Sequence, residues 1–350
     1  MTRQRTRGFT IVELLVVVSI IALLVGILLP AIGKARDQAR LTISRANLRQ
    51  LGQAHATYAS EWNDRQLTMV NDNLGRYGNS MISAAGSFAT NAGAAHPGIM
   101  VGWGDNGVAW GYWFDGTNSP NLLYPINFDD GWGWFRVPNV KPMTQYLNGR
   151  FYDPIFYAPK DRVATSLLEE CMSQPFEFID CADFGLNFVL SSYCLSPAAL
   201  YSPDVLGEDG YIDPLSMNAG FRCPSMSQSA FADLKTQIIE HHWLQNTHAD
   251  CNPNFVPGNF DGCEPYYFNH GRESVPMSLF YDGHVQGLGT LQADAADARS
   301  LAQGGVGLWH RGTPLGTDGY FISDGWDGDT NTSFHILTVN GIRGRDRLGG

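Results

Sequence analysis

The sequence predicts an α+β fold, in which a long N-terminal helix packs on a mostly antiparallel sheet with loop-rich insertions. Three observations favour this class. Residues 14–33 contain no charged side chain. An amphipathic pattern without proline continues over residues 34–62. Beyond it, glycine, asparagine, aspartate and aromatic residues dominate, which is typical of short strands joined by turns.

The composition excludes two classes of protein. The chain has 350 residues, of which 44% are hydrophobic and 16% are charged, so most of it is not intrinsically disordered. The formal net charge is −11. Nucleic-acid binding requires a basic surface, and the sequence shows none. Nucleic acid is therefore not an expected partner.

Residues 14–29 form an apolar run which, with its flanks, is about as long as a bilayer-spanning helix, roughly twenty residues. Three arginines within residues 3–7 precede it and predict a cytoplasmic N-terminus. Two alternatives are a buried core helix and a cleavable signal peptide ending near residues 31–33. A signal peptide would not be continuous with the amphipathic helix that follows the run.

That continuation has one apolar-leaning face. Its residues recur at alternating spacings of three and four, the period of a helix. They are Leu41, Ser44, Leu48, Leu51, His55, Tyr58 and Trp62. The pattern predicts one helix from Phe9 to about Trp62, which Pro30 is able to kink.

The segment Arg-Gly-Phe-Thr-Ile-Val-Glu-Leu-Leu at residues 7–15 closely resembles the prepilin motif of type IV pilins and type II secretion pseudopilins. The resemblance implies that a prepilin peptidase cleaves between Gly8 and Phe9 and that Phe9 is then N-methylated. Glu13 falls at the family's acidic position. Pro30 falls where many members carry a helix-breaking proline.

Glu13 lies near the start of the apolar run. A carboxylate at membrane depth costs on the order of 2.5–3.5 kcal/mol, less near the interface, and needs a positive partner. The amine of Phe9 on a neighbouring subunit would supply it and would set the stagger between subunits. The expected organisation is a leader at residues 1–8, a transmembrane and assembly helix at 9–33, an amphipathic continuation at 34–65 and a globular head at 66–350.

The head contains weaker local signals. Residues 167–171 and 231–242 read as short helices. Residues 278–281 and 283–288 read as a hairpin around Asp282-Gly283, and residues 334–339 read as a late strand.

Residues 270–285 also resemble the His–spacer–Asp-Gly segment near the C-terminus of large prepilin-like proteins. The family's spacer has nine residues, whereas eleven lie between His270 and Asp282. We interpret this segment as structural.

Residues 98–135 form a glycine- and tryptophan-rich insertion. Short strands and turns packed by aromatic side chains are the expected structure, and a carbohydrate-binding surface is the alternative. Residues 102–107 match GxGxxG, but the residues that follow do not begin a helix, so a nucleotide site is not expected.

Six cysteines in an exported domain favour disulfides, with buried thiols as the alternative. The disulfide candidates are Cys171, Cys181, Cys194, Cys223, Cys251 and Cys263. Short loops would join Cys171 to Cys181 and Cys251 to Cys263, but spacing alone does not choose among the pairings.

Two clusters contain metal-ligand types. Residues 240–251 hold glutamate, histidine, aspartate and cysteine, but their spacing matches no familiar site, and polar packing is the favoured interpretation. A second cluster is rich in oxygen ligands and comprises Asp324, Asp327, Asp329 and Asn331. Resemblance to major pseudopilins, which carry calcium in a C-terminal loop, makes calcium a candidate cofactor there. An Asp/Gly turn is the alternative, and no other cofactor is expected.

The expected function is that of a structural subunit of a type IV pilus-like or type II secretion pseudopilus filament. Its partners would be prepilin peptidase, identical or related pilin subunits and the bacterial inner membrane, crossed once with the head in the periplasm. After assembly the subunit would lie in a filament or at the cell surface. No catalytic motif is visible, so an enzyme is not expected. The alternative is a membrane-anchored envelope protein that binds carbohydrate or metal, or an enzyme.

Overall fold

The structure is a computed structural model that describes most of the chain in separate ranges. These are residues 10–67, 99–103, 109–112, 124–129, 131, 133–161, 164–165, 168–177, 190–217, 219–240, 275–315 and 333–349. Within them, a long helix packs on an antiparallel sheet, so the α+β prediction is confirmed.

Helix α1 runs over Ile11–Glu61, 51 residues, and continues through Pro30 without interruption. Thr10 caps its start, and the backbone N–H of Trp62 donates to the carbonyl of Tyr58 at its end. These bounds agree with the predicted helix, whose first residue, Phe9, lies outside the described ranges.

The remaining helices and strands are short, and 3-10 turns connect many of them. The α-helices are α2 (Lys141–Thr144), α3 (Glu169–Ser173) and α4 (Thr290–Ala302). The strands are β1 (Ile99–Trp103), β2 (Ala109–Tyr112), β3 (Tyr193–Leu195), β4 (Leu206–Gly207), β5 (Gly210–Tyr211), β6 (Thr236–Glu240), β7 (Met277–Phe280) and β8 (Val285–Gly287).

The main sheet has the order β3-β6-β7-β8, and every pairing is antiparallel. Its register places Tyr193 opposite Glu240, and Leu279 between Ile238 and Val285. Two further antiparallel pairs, β1-β2 and β4-β5, lie outside this sheet.

The second part of α1 covers the main sheet and touches β7 and β8. Its buried side chains are Ser44, Asn47, Leu48, Leu51, Ala54, His55, Tyr58 and Ala59. The predicted apolar face is therefore the packed face, except that Leu41 is half-buried and Trp62 is exposed. Trp62 instead stacks on Tyr58.

One predicted helix is wrong. Within residues 231–242 the structure has a turn over residues 231–234 and then strand β6. All five residues of β6 are buried, and β3 and β7 pair with its two edges. A strand that is buried on both faces loses the alternation that distinguishes it from a helix.

Residues 334–339 were predicted to be a strand, and this is also wrong. They form a turn in which His335 has a φ of 73°, a left-handed conformation that no strand contains. Only Thr338 forms an isolated bridge, with Trp309.

The β7-β8 hairpin is confirmed, and its turn contains Gly283 at a φ of 87°. The short helix predicted at residues 167–171 is shifted to α3.

We expect Gly52→Val to destabilise the head, because Gly52 lies where α1 is closest to the sheet. A Cβ placed there would lie 3.1 Å from both terminal methyl carbons of Leu279. Overpacking of this kind typically costs about 1–3 kcal/mol. Thermal unfolding of the full chain in detergent measures the effect.

The control is Gly33→Val, the same change on the same helix, where a Cβ would meet nothing within 4 Å. Equal melting temperatures for the two variants would contradict the close packing at Gly52.

Candidate functional site: the N-terminal helix and its junction with the head

The first turn of α1 is closed by a reciprocal capping box between Thr10 and Glu13. The Glu13 carboxylate accepts from the Thr10 backbone N–H at 2.9 Å and from its hydroxyl at 2.8 Å. The backbone N–H of Glu13 donates to the Thr10 hydroxyl oxygen at 3.2 Å. These bonds satisfy donors that a helix start leaves open. They hold the carboxylate at the beginning of the apolar run.

The described part of the head leaves the apolar half of α1 uncovered. The large apolar side chains over residues 11–32 are exposed, from 83% at Ile11 down to 44% at Val25. Among the described residues, α1 is the one helix that is both long enough and apolar enough to cross a membrane. None of its most apolar stretch is buried. This surface needs lipid or another apolar helix to cover it.

Pro30 lies inside this exposed half. Because proline has no backbone N–H, the bond from position 30 to the carbonyl of residue 26 is missing.

Where α1 meets the sheet, a small polar cluster lies among the apolar contacts. The Ser44 hydroxyl lies 2.8 Å from the Tyr193 hydroxyl and donates to the Glu240 carboxylate. The other oxygen of that carboxylate accepts from the backbone N–H of Met277 at 2.8 Å. The Asn47 amide reaches the carbonyl of Tyr157 at 3.4 Å. This cluster, Ser44, Asn47, Tyr193 and Glu240, is termed the junction cluster.

Burial changes the protonation of several groups at and near the junction cluster. It raises the pKa of Glu240 to about 7, although the bonds from Ser44 and Met277 oppose the shift. Burial likewise raises the pKa of Asp161, near the same interface, to about 7. It lowers the pKa of His55 on α1 to about 4, so the ring is neutral. Near neutral pH, the junction therefore disfavours charge on both acids and histidine.

A second buried network ties residues 333–349 to β6 and its preceding residue. The Lys235 ammonium lies 2.8 Å from the Asp346 carboxylate, and both side chains are fully buried. Asp346 also accepts from the backbone N–H groups of Thr236 at 3.0 Å and His335 at 2.8 Å. Burial opposes ionisation of Asp346, but the charge of Lys235 and the hydrogen bonds from the Lys235 and Thr236 side chains outweigh it and lower its pKa. The carboxylate is thus held as an anion and stabilises the fold.

The structure resolves part of the cysteine prediction. Cys171 is disulfide-bonded, whereas Cys194 and Cys223 are thiols, so the disulfide expectation is wrong for these two. Cys194 is fully buried on β3 and fills core volume as a small apolar side chain, and burial raises its pKa.

Other predicted site residues lie outside the described ranges, and their predictions stay predictions. They are Gly8, Phe9, Cys181, Cys251, Cys263, Asp324, Asp327, Asp329 and Asn331. In the residue 240–251 cluster only Glu240 is described, and it belongs to the junction cluster. In the described part of the chain, no group of three or more acidic, histidine or cysteine residues is arranged to hold a metal ion.

Comparison with known families agrees with the geometry of α1. Residues 3–29 match the family described as the prokaryotic N-terminal methylation motif. No curated protein and no solved structure matches the chain. The chain therefore carries a prepilin-type methylation motif on a long apolar helix. Together with the α+β fold, this is consistent with a type IV pilin-like protein.

Sequence reasoning missed two features of the site. Thr10 and Glu13 have the Thr-x-x-Glu spacing of a capping box, so this cap was detectable. The junction cluster was not, because Ser44 and Glu240 are 196 residues apart and no local pattern links them.

We expect Glu240 to make stability depend on pH. Its pKa in the folded protein is about 7, above the ordinary 4.5. The contribution of Glu240 to the free energy of unfolding is therefore complete below pH 4.5 and is lost as the pH rises towards 7. Relative to Glu240→Gln, the wild type should lose up to about 3 kcal/mol over this range. Chemical denaturation of both chains at several pH values measures the difference.

Both chains contain His55, so the comparison with Glu240→Gln cancels its effect. The stability contribution of His55 changes with pH in the opposite direction to that of Glu240. The His55 pKa is lowered, so its contribution is lost as pH falls through about 6.5 towards 4. A difference between the two chains that does not change with pH would exclude a titrating Glu240.

Proposed function

We propose that the protein is a structural subunit of a type IV pilus-like or type II secretion pseudopilus filament, matured by prepilin peptidase after Gly8. The observation that carries the proposal is that α1 has two differently covered halves. One helix packs on the head through residues 44–59 and leaves the apolar side chains of residues 11–32 outside it. The methylation motif at residues 3–29 supports it.

The exposed half has two uses in this proposal. Before assembly it lies in the inner membrane, with the N-terminus cytoplasmic and the head periplasmic. After assembly the same side chains pack against the helices of identical or related subunits in a filament. Both environments are apolar, so the helix can pass between them without exposing this surface to water.

Glu13 links processing to assembly. Its carboxylate already accepts the two bonds of the capping box. A carboxylate has about four acceptor positions, so it retains capacity for a cation. The amine of Phe9 exists only after cleavage, and on a neighbouring subunit it would pair with Glu13 at the apolar filament core. Cleavage would thus create the partner that sets the stagger.

We propose a structural rather than a catalytic role for the head. Its buried ionisable residues Lys235, Glu240 and Asp346 are at most 1% exposed, and their bonds join parts of the fold. A substrate in solution does not reach such groups.

Mass spectrometry of the N-terminus of the purified protein tests the proposal. We expect a chain that begins at N-methylated Phe9, and Gly8→Val should retain the leader because the resemblance places the cleavage there. A chain that begins at Lys34, or an intact chain that begins at Met1, would overturn the proposal.

We expect Glu13→Ala to abolish or strongly reduce filaments while the protein remains in the membrane fraction. Loss of the carboxylate removes the partner of the Phe9 amine without shortening the apolar run. Electron microscopy of sheared filaments and membrane fractionation measure the two effects.

The control is Thr10→Ala, which removes the hydroxyl of the capping box and keeps the carboxylate. It should cost about 1 kcal/mol of helix stability and leave filaments present. Normal filaments from Glu13→Ala would refute the pairing of Glu13 with Phe9.

A further inference from the structure

A half-open cavity of about 230 Å³ lies in the head beside the β4-β5 pair. Its wall is an arc of five aromatic rings, each next to the one before it: Tyr124, Phe221, Tyr201, Phe128 and Tyr211. Neighbouring ring centroids are 4.7 to 5.5 Å apart. None of the described lining residues belongs to α1 or to the main sheet.

The arc is fixed in place before any ligand arrives. The Tyr201 hydroxyl donates to the carbonyl of Ile126, and Tyr201 is 1% exposed. Phe128 packs between Tyr201 and Tyr211. A preformed wall of this kind loses little conformational entropy on binding.

Two carboxylates complete the cavity. Asp129 and Asp213 line it, and both residues are exposed. One oxygen of Asp213 accepts from the backbone N–H of Leu215 at 2.9 Å, which holds the carboxylate in position. Burial raises the pKa of Tyr211, and the charges of Asp213 and Asp129 raise it further. The two carboxylates therefore act on the same ring of the arc.

The two segments that supply most of the lining are acidic in sequence, and the positive residue nearest to them is Arg222, which directly follows Phe221. Residues 124–130 and 201–221, which supply all but one of the described lining residues, contain six acidic residues and no lysine or arginine. An anion would be repelled, and a neutral ligand would gain nothing from this charge. A cation would be attracted both by the carboxylates and by the negative faces of the rings.

We propose that this cavity binds an alkylammonium group, either quaternary or a protonated primary amine, between the aromatic arc and Asp129 and Asp213. Neighbouring rings of the arc are tilted by 31° to 55°, so they enclose a compact group and present no flat platform. Tyr211 and Phe221 are half-buried and supply the accessible ring surface for a small cation, whereas Tyr124, Phe128 and Tyr201 are 6% exposed or less and offer a sugar ring no broad open face.

Binding of choline to the full-length protein in non-ionic detergent tests the proposal, with saturation-transfer NMR on the N-methyl protons as the measurement. We expect choline to bind, and its uncharged isostere 3,3-dimethylbutanol to bind at least about tenfold more weakly. Asp129→Asn/Asp213→Asn should weaken choline binding by about tenfold or more. Tyr211→Leu, which removes one ring of the arc, should also weaken it.

The matched control is Glu169→Gln/Asp233→Asn, which removes two exposed carboxylates outside the cavity lining and should leave choline affinity unchanged. Circular dichroism shows that each variant is folded. Equal binding of choline and its isostere, binding of glucose without choline, or no choline binding to the folded wild type would each overturn the proposal.

A second arm separates two sources of the same group. N-acetyl-lysine-N-methylamide presents the primary ammonium of a protein side chain, and choline presents a quaternary headgroup. Tighter binding of the lysine compound would point to a peptide, and tighter binding of choline to a small molecule or lipid headgroup. Either result requires the same loss of binding in Asp129→Asn/Asp213→Asn.

Discussion

The hydrophobic effect acting on one continuous helix is the constraint on which the rest of the structure depends. Residues 11–32 of α1 carry large apolar side chains that the described part of the head does not cover, while residues 44–59 are covered by the sheet. A helix cannot bend its first half back onto the head without breaking its own backbone bonds. The uncovered half therefore needs an apolar environment beyond the described part of the head, and that part binds α1 through the second half alone.

The contact that remains combines close packing with specific polar bonds. Gly52 allows α1 to approach Leu279, and the junction cluster lies next to this contact in the same interface. Apolar packing alone would tolerate a sliding helix. The bonds of Ser44 and Asn47 to the sheet and to residues 154–157 are made only in one register, so they add specificity to the apolar contact.

Local signals in the sequence predicted those elements whose structure is decided locally. The length of α1, its packed face and the turn at Gly283 follow from spacing and turn chemistry. Strand β6 was misread because parts of the chain that are distant in sequence, such as Ser44 and Asp346, pack on its side chains and all five of its residues are buried. The turn at His335 depends on Asp346 and Lys235, and the aromatic cavity unites segments about 75 residues apart, as in the bond from Tyr201 to Ile126. No single window of sequence contains either arrangement.

The distance along the chain between α1 and its covering strands has a consequence for folding. During synthesis, Ser44 emerges long before Glu240, to which it is hydrogen-bonded, and long before strand β7 at residues 277–280. The first half of the helix can enter a bilayer while the second half still lacks the strands that cover it. Contacts of such high sequence separation form slowly, since a long loop must close first. Membrane insertion would precede head folding. The apolar face of α1 over residues 44–59 would stay uncovered until then, so it is the segment that a chaperone would need to protect.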